Sequence, residues 1–235
     1  MAESKKLYEL KREVKKLECE TNEENQKEIL KRISGLLITD FAIKINENTI
    51  IKPMLVEAYY YHKGKFEDEN TYRESGQSNR FGKLFFHPKK YSYGVDICLS
   101  MSCTYFLSFL IKNAIIENIN KEFYSQEAIY YYLENNADIN ELADRDNILI
   151  EKHCEYEIVY TVRKGLKKPF KDELLAALPI DKIKEYKFTP GESPTNIIRG
   201  YICEKLSAGN LDEKEEHRLK ELACGFVAWD NFKEC

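Results

Sequence analysis

The chain has no run of about 18 consecutive apolar residues, so no helix in it is expected to span a membrane. It has no Cys-x-x-Cys pair. Its seven cysteines, at 19, 98, 103, 154, 203, 224 and 235, are an odd number that fits no closed disulfide framework. Reduced thiols are the expectation. Histidine is sparse, and the four at 62, 87, 153 and 217 fall at no zinc-ligand spacing. Neither a metal nor another cofactor is expected. His153 and Cys154 would face opposite ways on a strand, which argues against a thiol–imidazole pair. The opening MAESKKLYELKREVKKLE is charged throughout and lacks an apolar signal core, so a cytoplasmic location is expected.

Positive charge is not in excess either. Thirty-six basic residues oppose forty acidic ones, a formal charge of −4. This counts against binding nucleic acid through the whole surface, because phosphate affinity comes from clustered Lys and Arg. Three local clusters remain: Lys5, Lys6, Lys11, Arg12, Lys15 and Lys16; Arg80, Lys83, His87, Lys89 and Lys90; and Arg163, Lys164, Lys167, Lys168 and Lys171. Each is either a solvated face or a local basic surface.

What is present suffices for a core: 43% of the 235 residues are hydrophobic and 32% charged, which excludes wholesale disorder. Leu7, Leu10, Val14 and Leu17 make a helical stripe over 5–18. Thr21 and Asn22 can cap a second helix over about 23–33. From Phe41 to Tyr61, Ile, Val and Tyr dominate around a turn near Asn46–Asn48, which predicts a β-hairpin. The polar stretch 63–82 reads as a long loop, a kind of segment that often carries function. Strands return over Leu84–Ile116 and again over 148–162. A helix is expected from a Ser125 cap to about Asn135, a short one over Lys171–Leu178, and two more opening at Ser193-Pro194 and at Asn210. Helices, a strand-rich middle, then helices make an α+β chain. Its expected divisions are 1–33, N-terminal helices; 34–190, an α+β core; and 191–235, a helical extension. The apolar stripes of the terminal helices, Leu211, Leu219, Leu222, Phe226 and Trp229 among them, need burial on the core or on a second copy.

Three strings carry the chemical signal. Val56-Glu57-Ala58-Tyr59 ends an otherwise apolar hairpin, where a carboxylate is costly to bury without a task or a partner. Leu84-Phe85-Phe86-His87-Pro88 leads into Tyr91 and then Tyr93-Gly94-Val95-Asp96-Ile97-Cys98-Leu99-Ser100. Phe109-Leu110-Ile111-Lys112-Asn113-Ala114 follows.

In this order the strings resemble the alkyladenine (3-methyladenine) DNA glycosylases. That family has a strand ending in Glu-Ala-Tyr, a polar loop, Met-Phe-x-x-Pro-Gly, a Tyr-Gly hairpin running into Cys-x-Asn-x-Ser, and a strand with Leu-Leu-Arg or Leu-Ile-Arg. Tyr93 through Lys112 follows the pattern without a gap. Gly35-Leu36-Leu37 resembles the approach to the first hairpin, and Val162-Arg163-Lys164-Gly165-Leu166 the late Arg-x-Gly-Ile strand. Glu185-Tyr186-Lys187-Phe188 resembles the terminal Arg-Phe-Tyr strand. The resemblance spans roughly 35–188 and implies a mostly antiparallel curved sheet core.

It also implies roles. Glu57 falls on the carboxylate that activates water, Tyr59 on an aromatic that stacks on the flipped base, and Tyr93 on the tyrosine that wedges into the duplex. Tyr72 falls on the pocket histidine if four residues are inserted after Tyr60. Ser100 replaces the pocket asparagine, and Lys112 replaces its arginine. A second stacking position is ambiguous between Lys90 and Tyr91. Arg80, Lys89 and Lys90 would contact phosphate.

Two functional classes follow. One is an N-glycosylase that excises a modified purine from DNA by base flipping, with Glu57 activating water. The other is a binding module on the same scaffold for a modified base, a nucleotide or a protein partner. The three pocket replacements and the charge of −4 favour the second; Glu57, Tyr59 and Tyr93 favour the first. The expected partners are DNA or a nucleotide ligand, not a membrane, and the terminal helices leave oligomerisation open.

Overall fold

The computed structural model describes residues 4–88, 93–123, 125–146, 148–161, 163 and 174–180. Helix α1 (Lys5–Cys19) starts where the Ser4 hydroxyl accepts from the Leu7 amide at 3.3 Å. Its stripe of Leu10, Val14 and Leu17 is fully buried, and Leu7 packs at the margin. Helix α2 (Glu23–Thr39) is capped by the Asn22 side chain, which accepts from the Asn25 amide. It runs past the expected end at 33, because Ile33, Leu37 and Ile38 continue its buried stripe. Gly35-Leu36-Leu37 therefore lies within the helix, ahead of the hairpin.

The hairpin pairs β1 (Phe41–Lys44) with β2 (Ile50–His62), Ile43 opposite Ile51. At its turn the Asn46 side chain accepts from the Asn48 amide. The loop over 63–82 is irregular apart from β3 (Phe66–Glu67), which folds back on β2, and one 3-10 turn. Then come β4 (Lys83–Phe86), β5 (Val95–Cys98), β6 (Phe106–Ile116) and β7 (Lys121–Phe123). Helix α3 (Gln126–Asn136) begins at the expected cap, Ser125. Helix α4 (Ile139–Asp144) was not expected; Asp138 caps it by accepting from the Asn140 and Glu141 amides.

Two expectations are corrected. The strand expected over 148–162 is two strands, β8 (Leu149–Glu151) and β9 (Ile158–Thr161). Between them the backbone leaves the ladder, since the amides of Lys152 and Cys154 donate to the carbonyls of Asp40 and Thr39 at the end of α2. The helix expected over 171–178 is replaced, where described, by strand β10 (Ala176–Pro179). Ala176 lies opposite Glu57 of β2 and Thr161 of β9, so pairing with two strands overrides the local helical preference of the alanines. The helices expected after Ser193 and Asn210, and the strand expected at Glu185–Phe188, lie outside the described residues.

Together the strands form a ten-stranded, curled antiparallel half-barrel in the order β4-β5-β6-β2-β1-β8, with β10 also on β2 and β9 on β10. The chain is α+β. Alternation along the strands separates two faces. On one, Val56, Ala58, Tyr60, Val95, Ile97, Leu107, Phe109 and Ile111 are at most 1% exposed and join the core with α1 and α2. The other face carries Glu57, Tyr59, Asp96, Cys98, Ser108, Leu110 and Lys112. Among the described residues no helix is long and apolar enough to cross a membrane.

Candidate functional site

Pairing register brings the polar residues of the second face together. Glu57 of β2 lies opposite Leu110 of β6, which lies opposite Asp96 of β5; in the next row Tyr59, Ser108 and Cys98 are aligned. Glu57 and Asp96 are thus two strand spacings apart, about 10 Å between backbones. Both are nearly inaccessible, at 3% and 2% exposure.

Glu57 accepts a hydrogen bond from the Tyr59 hydroxyl, Oη to Oε2, at 2.9 Å. Burial first, and then the Glu57 charge, hold the Tyr59 phenol well above the ordinary tyrosine range, so it stays protonated and donates. The Tyr59 ring is covered on one side by the Arg163 guanidinium, whose carbon lies 4.8 Å from the ring centroid. Arg163 is fully buried. Its Nη1 donates to Asp68 Oδ2 at 2.6 Å and to the Ala58 carbonyl at 2.7 Å. Asp68, also fully buried, turns the polar loop by accepting from the Asn70 amide and side-chain amide.

The Asp96 carboxylate takes three donors. His87 Nε2 meets its Oδ1 at 2.8 Å, while Gln77 Nε2 and Ser108 Oγ meet Oδ2 at 3.0 and 2.8 Å. Three partners satisfy this buried carboxylate. They also join the loop (Gln77), the end of β4 (His87) and β6 (Ser108) to β5.

The residues expected at the site divide accordingly. Glu57, Tyr59 and Lys112 share the polar face, and Lys112 Nζ donates to Gln126 Oε1 at the start of α3, 2.8 Å away. Tyr72 comes to the same face from the loop, with its ring edge-on to His87 at 4.7 Å between centroids. Tyr93 packs on α3, its ring 5.4 Å from that of Tyr130 and 4.8 Å from that of Tyr131. Ser100 is used elsewhere: its hydroxyl accepts from the Leu107 amide at 2.8 Å and closes the turn between β5 and β6. Arg80 turns onto α4, bonding the Ala143 carbonyl and Asp144. Lys89 and Lys90 lie outside the described residues, as does Tyr91.

Asp68, Gln77, His87, Asp96, Ser108 and Arg163 were not singled out as site residues from sequence. Asp96 carried a signal, a lone acid in the apolar run Val95–Leu99. His87 and Arg163 fall in basic clusters, Arg163 also on the resembled Arg-x-Gly-Ile strand, yet both are buried against carboxylates, His87 on Asp96 and Arg163 on Asp68. His153, not expected to pair with Cys154, has its Nδ1 on Asp40 Oδ1 at 2.7 Å.

The assembled face offers a buried carboxylate with an oriented hydroxyl, an aromatic ring beside it, and a satisfied His–Asp pair whose acid lies in the same row, two strands away. Among the described residues no group of three or more His, Cys, Asp or Glu could hold a metal ion. No family model matches this chain, and no curated protein matches it.

Proposed function

We propose that the protein is an N-glycosylase-like protein of the alkyladenine DNA glycosylase type, acting on a modified purine in DNA, with Glu57 as the carboxylate that activates water. The observation that carries this reading is the Glu57–Tyr59 pair. A carboxylate in the Glu-Ala-Tyr motif is buried on the polar face of a curved antiparallel sheet and oriented by the hydroxyl two residues on. Cleavage of the bond between base and sugar builds positive charge on the sugar in an oxocarbenium-like state. A fixed carboxylate stabilises that charge and takes the proton from the attacking water. The Tyr59 ring supplies a stacking surface for an extruded purine, tolerant of base identity. Extrusion costs a few kcal/mol, and Tyr93 filling the vacated stack would offset part of it.

The test is base release from duplex oligonucleotides carrying alkylated or deaminated purines. Wild-type protein should release the base, and Glu57→Gln should slow release by about 10²–10⁴-fold, the usual contribution of a general base. The variant should melt at an unchanged temperature. Release by Glu57→Gln within tenfold of wild type would remove the role.

A second reading, a base-binding module without the reaction, is favoured by one observation. Ser100 and Lys112, at positions that would read the base, are bonded to Leu107 and Gln126 inside the fold. Wild-type binding to the same oligonucleotides with no release over hours would establish it.

A further inference from the structure

We propose that Arg163 and Asp68 are positioning residues that fix the Glu57–Tyr59 pair, an inference that rests on reading Glu57 as the site carboxylate. It starts from a backbone oddity. The Ala58 amide donates to the Leu175 carbonyl, where β10 runs alongside β2. The Ala58 carbonyl points to the same edge, but its donor is the Arg163 guanidinium instead of a strand amide. A side chain thus completes the ladder between the two residues of interest, Glu57 and Tyr59. The same guanidinium nitrogen reaches Asp68 in the polar loop, and the guanidinium plane covers the Tyr59 ring.

Stability alone is a poor reason for this arrangement. Both ions are fully withdrawn from water, and their mutual attraction scarcely repays that desolvation; well-packed apolar residues of similar volume often do as well or better. What an apolar pair cannot do is hold Tyr59 from the backbone of one neighbour and the face of its own ring together. With the ring fixed, the hydroxyl is aimed at Glu57 Oε2. Lysine is no substitute, because a point charge does not make the planar cover that a guanidinium makes.

The experiment compares wild type, Arg163→Met, Asp68→Leu and the double variant Arg163→Met/Asp68→Leu in the full chain. Each is labelled with ¹³C-tyrosine, and the Tyr59 resonance is assigned by its loss in Tyr59→Phe. Each single variant strands one buried charge and should melt well below wild type. The double variant should recover most of that loss. If the pair positions Tyr59, the double variant nevertheless shows a mobile Tyr59 ring, with its resonance moved toward that of a solvent-exposed tyrosine. Where base release is measurable, its kcat falls about tenfold or more with KM little changed, as expected for a misplaced group. Should the double variant fail to fold, Arg163→Lys is read in the same way. A Tyr59 resonance and kcat that return to wild-type values with stability would overturn the proposal and leave a purely structural ion pair. Absence of base release and base binding in wild type overturns the reading of Glu57; the Tyr59 resonance then still decides whether the pair positions the ring.

Discussion

Gly94 illustrates how single atoms hold the polar face. A Cβ at this position would lie 2.7 Å from His87 Nδ1, 2.9 Å from its Cε1 and 3.1 Å from Leu110 Cδ1. The imidazole cannot swing aside cheaply, because its Nε2 is bonded to Asp96 and its ring meets Tyr72 edge-on. Gly94→Ala should therefore destabilise by about 1–3 kcal/mol, the scale of overpacking. Chemical denaturation would show a lower midpoint at an unchanged slope. A loss below about 0.5 kcal/mol, typical of unconstrained surface positions, would mean that His87 is not held as described. The sequence made Glu57 and Tyr59 legible, since a carboxylate interrupts an apolar run there. For Arg163 it offered a place in the Arg-x-Gly-Ile likeness but not the buried pairing. Its partner Asp68 is 95 residues away, and a cation among lysines looks like surface until the fold brings the acid to it. Asp96 had a signal of the same kind as Glu57, but its three donors come from three separate segments that no spacing rule connects.

Elements whose own side chains specify them were read well, and elements specified by a neighbour were not. Helix α1 has both a cap and a stripe, and its structure follows them. Leu17 is fully buried in that stripe, whereas Tyr8 on the same helix is 62% exposed. Leu17→Ala should cost about 2–5 kcal/mol, as removal of a buried leucine does. Tyr8→Ala should change stability by no more than about 0.5 kcal/mol. Equal effects in a denaturant series would mean that α1 is not docked through this face. In contrast, β10 has an alanine pair and a leucine that suit a helix, and pairing with β2 and β9 makes it a strand. The break between β8 and β9 likewise depends on carbonyls at the end of α2. Local periodicity carries no record of such partners.

Across the molecule, buried tyrosines tie the sheet to α1 and α2, and they make stability depend on alkaline pH. Tyr60 on β2 donates to the Leu17 carbonyl of α1, the Tyr105 hydroxyl accepts from the Met101 amide, and Tyr160 on β9 donates to the Lys31 carbonyl of α2. Burial raises all three phenols above the ordinary value, Tyr105 to about 12, and raises Tyr59 and Tyr156 as well. The sign follows from linkage. In the unfolded chain these groups lose their protons near pH 10, the reference value, while in the fold they keep them. Their contribution is therefore complete below about pH 10 and is lost as pH rises toward the folded values. Phenolate absorbance followed upward in pH should show one fraction of the sixteen tyrosines ionising gradually and another ionising together, in a steep step. The step should coincide with loss of sheet signal in circular dichroism, because ionising any of these hydroxyls inside the core costs more than opening it. Removing one phenol by Tyr105→Phe should lower the amplitude of the steep step and leave the gradual one unchanged. Smooth ionisation of every tyrosine with the sheet signal intact to about pH 12 would show that these side chains are solvated and that the core is not closed around them.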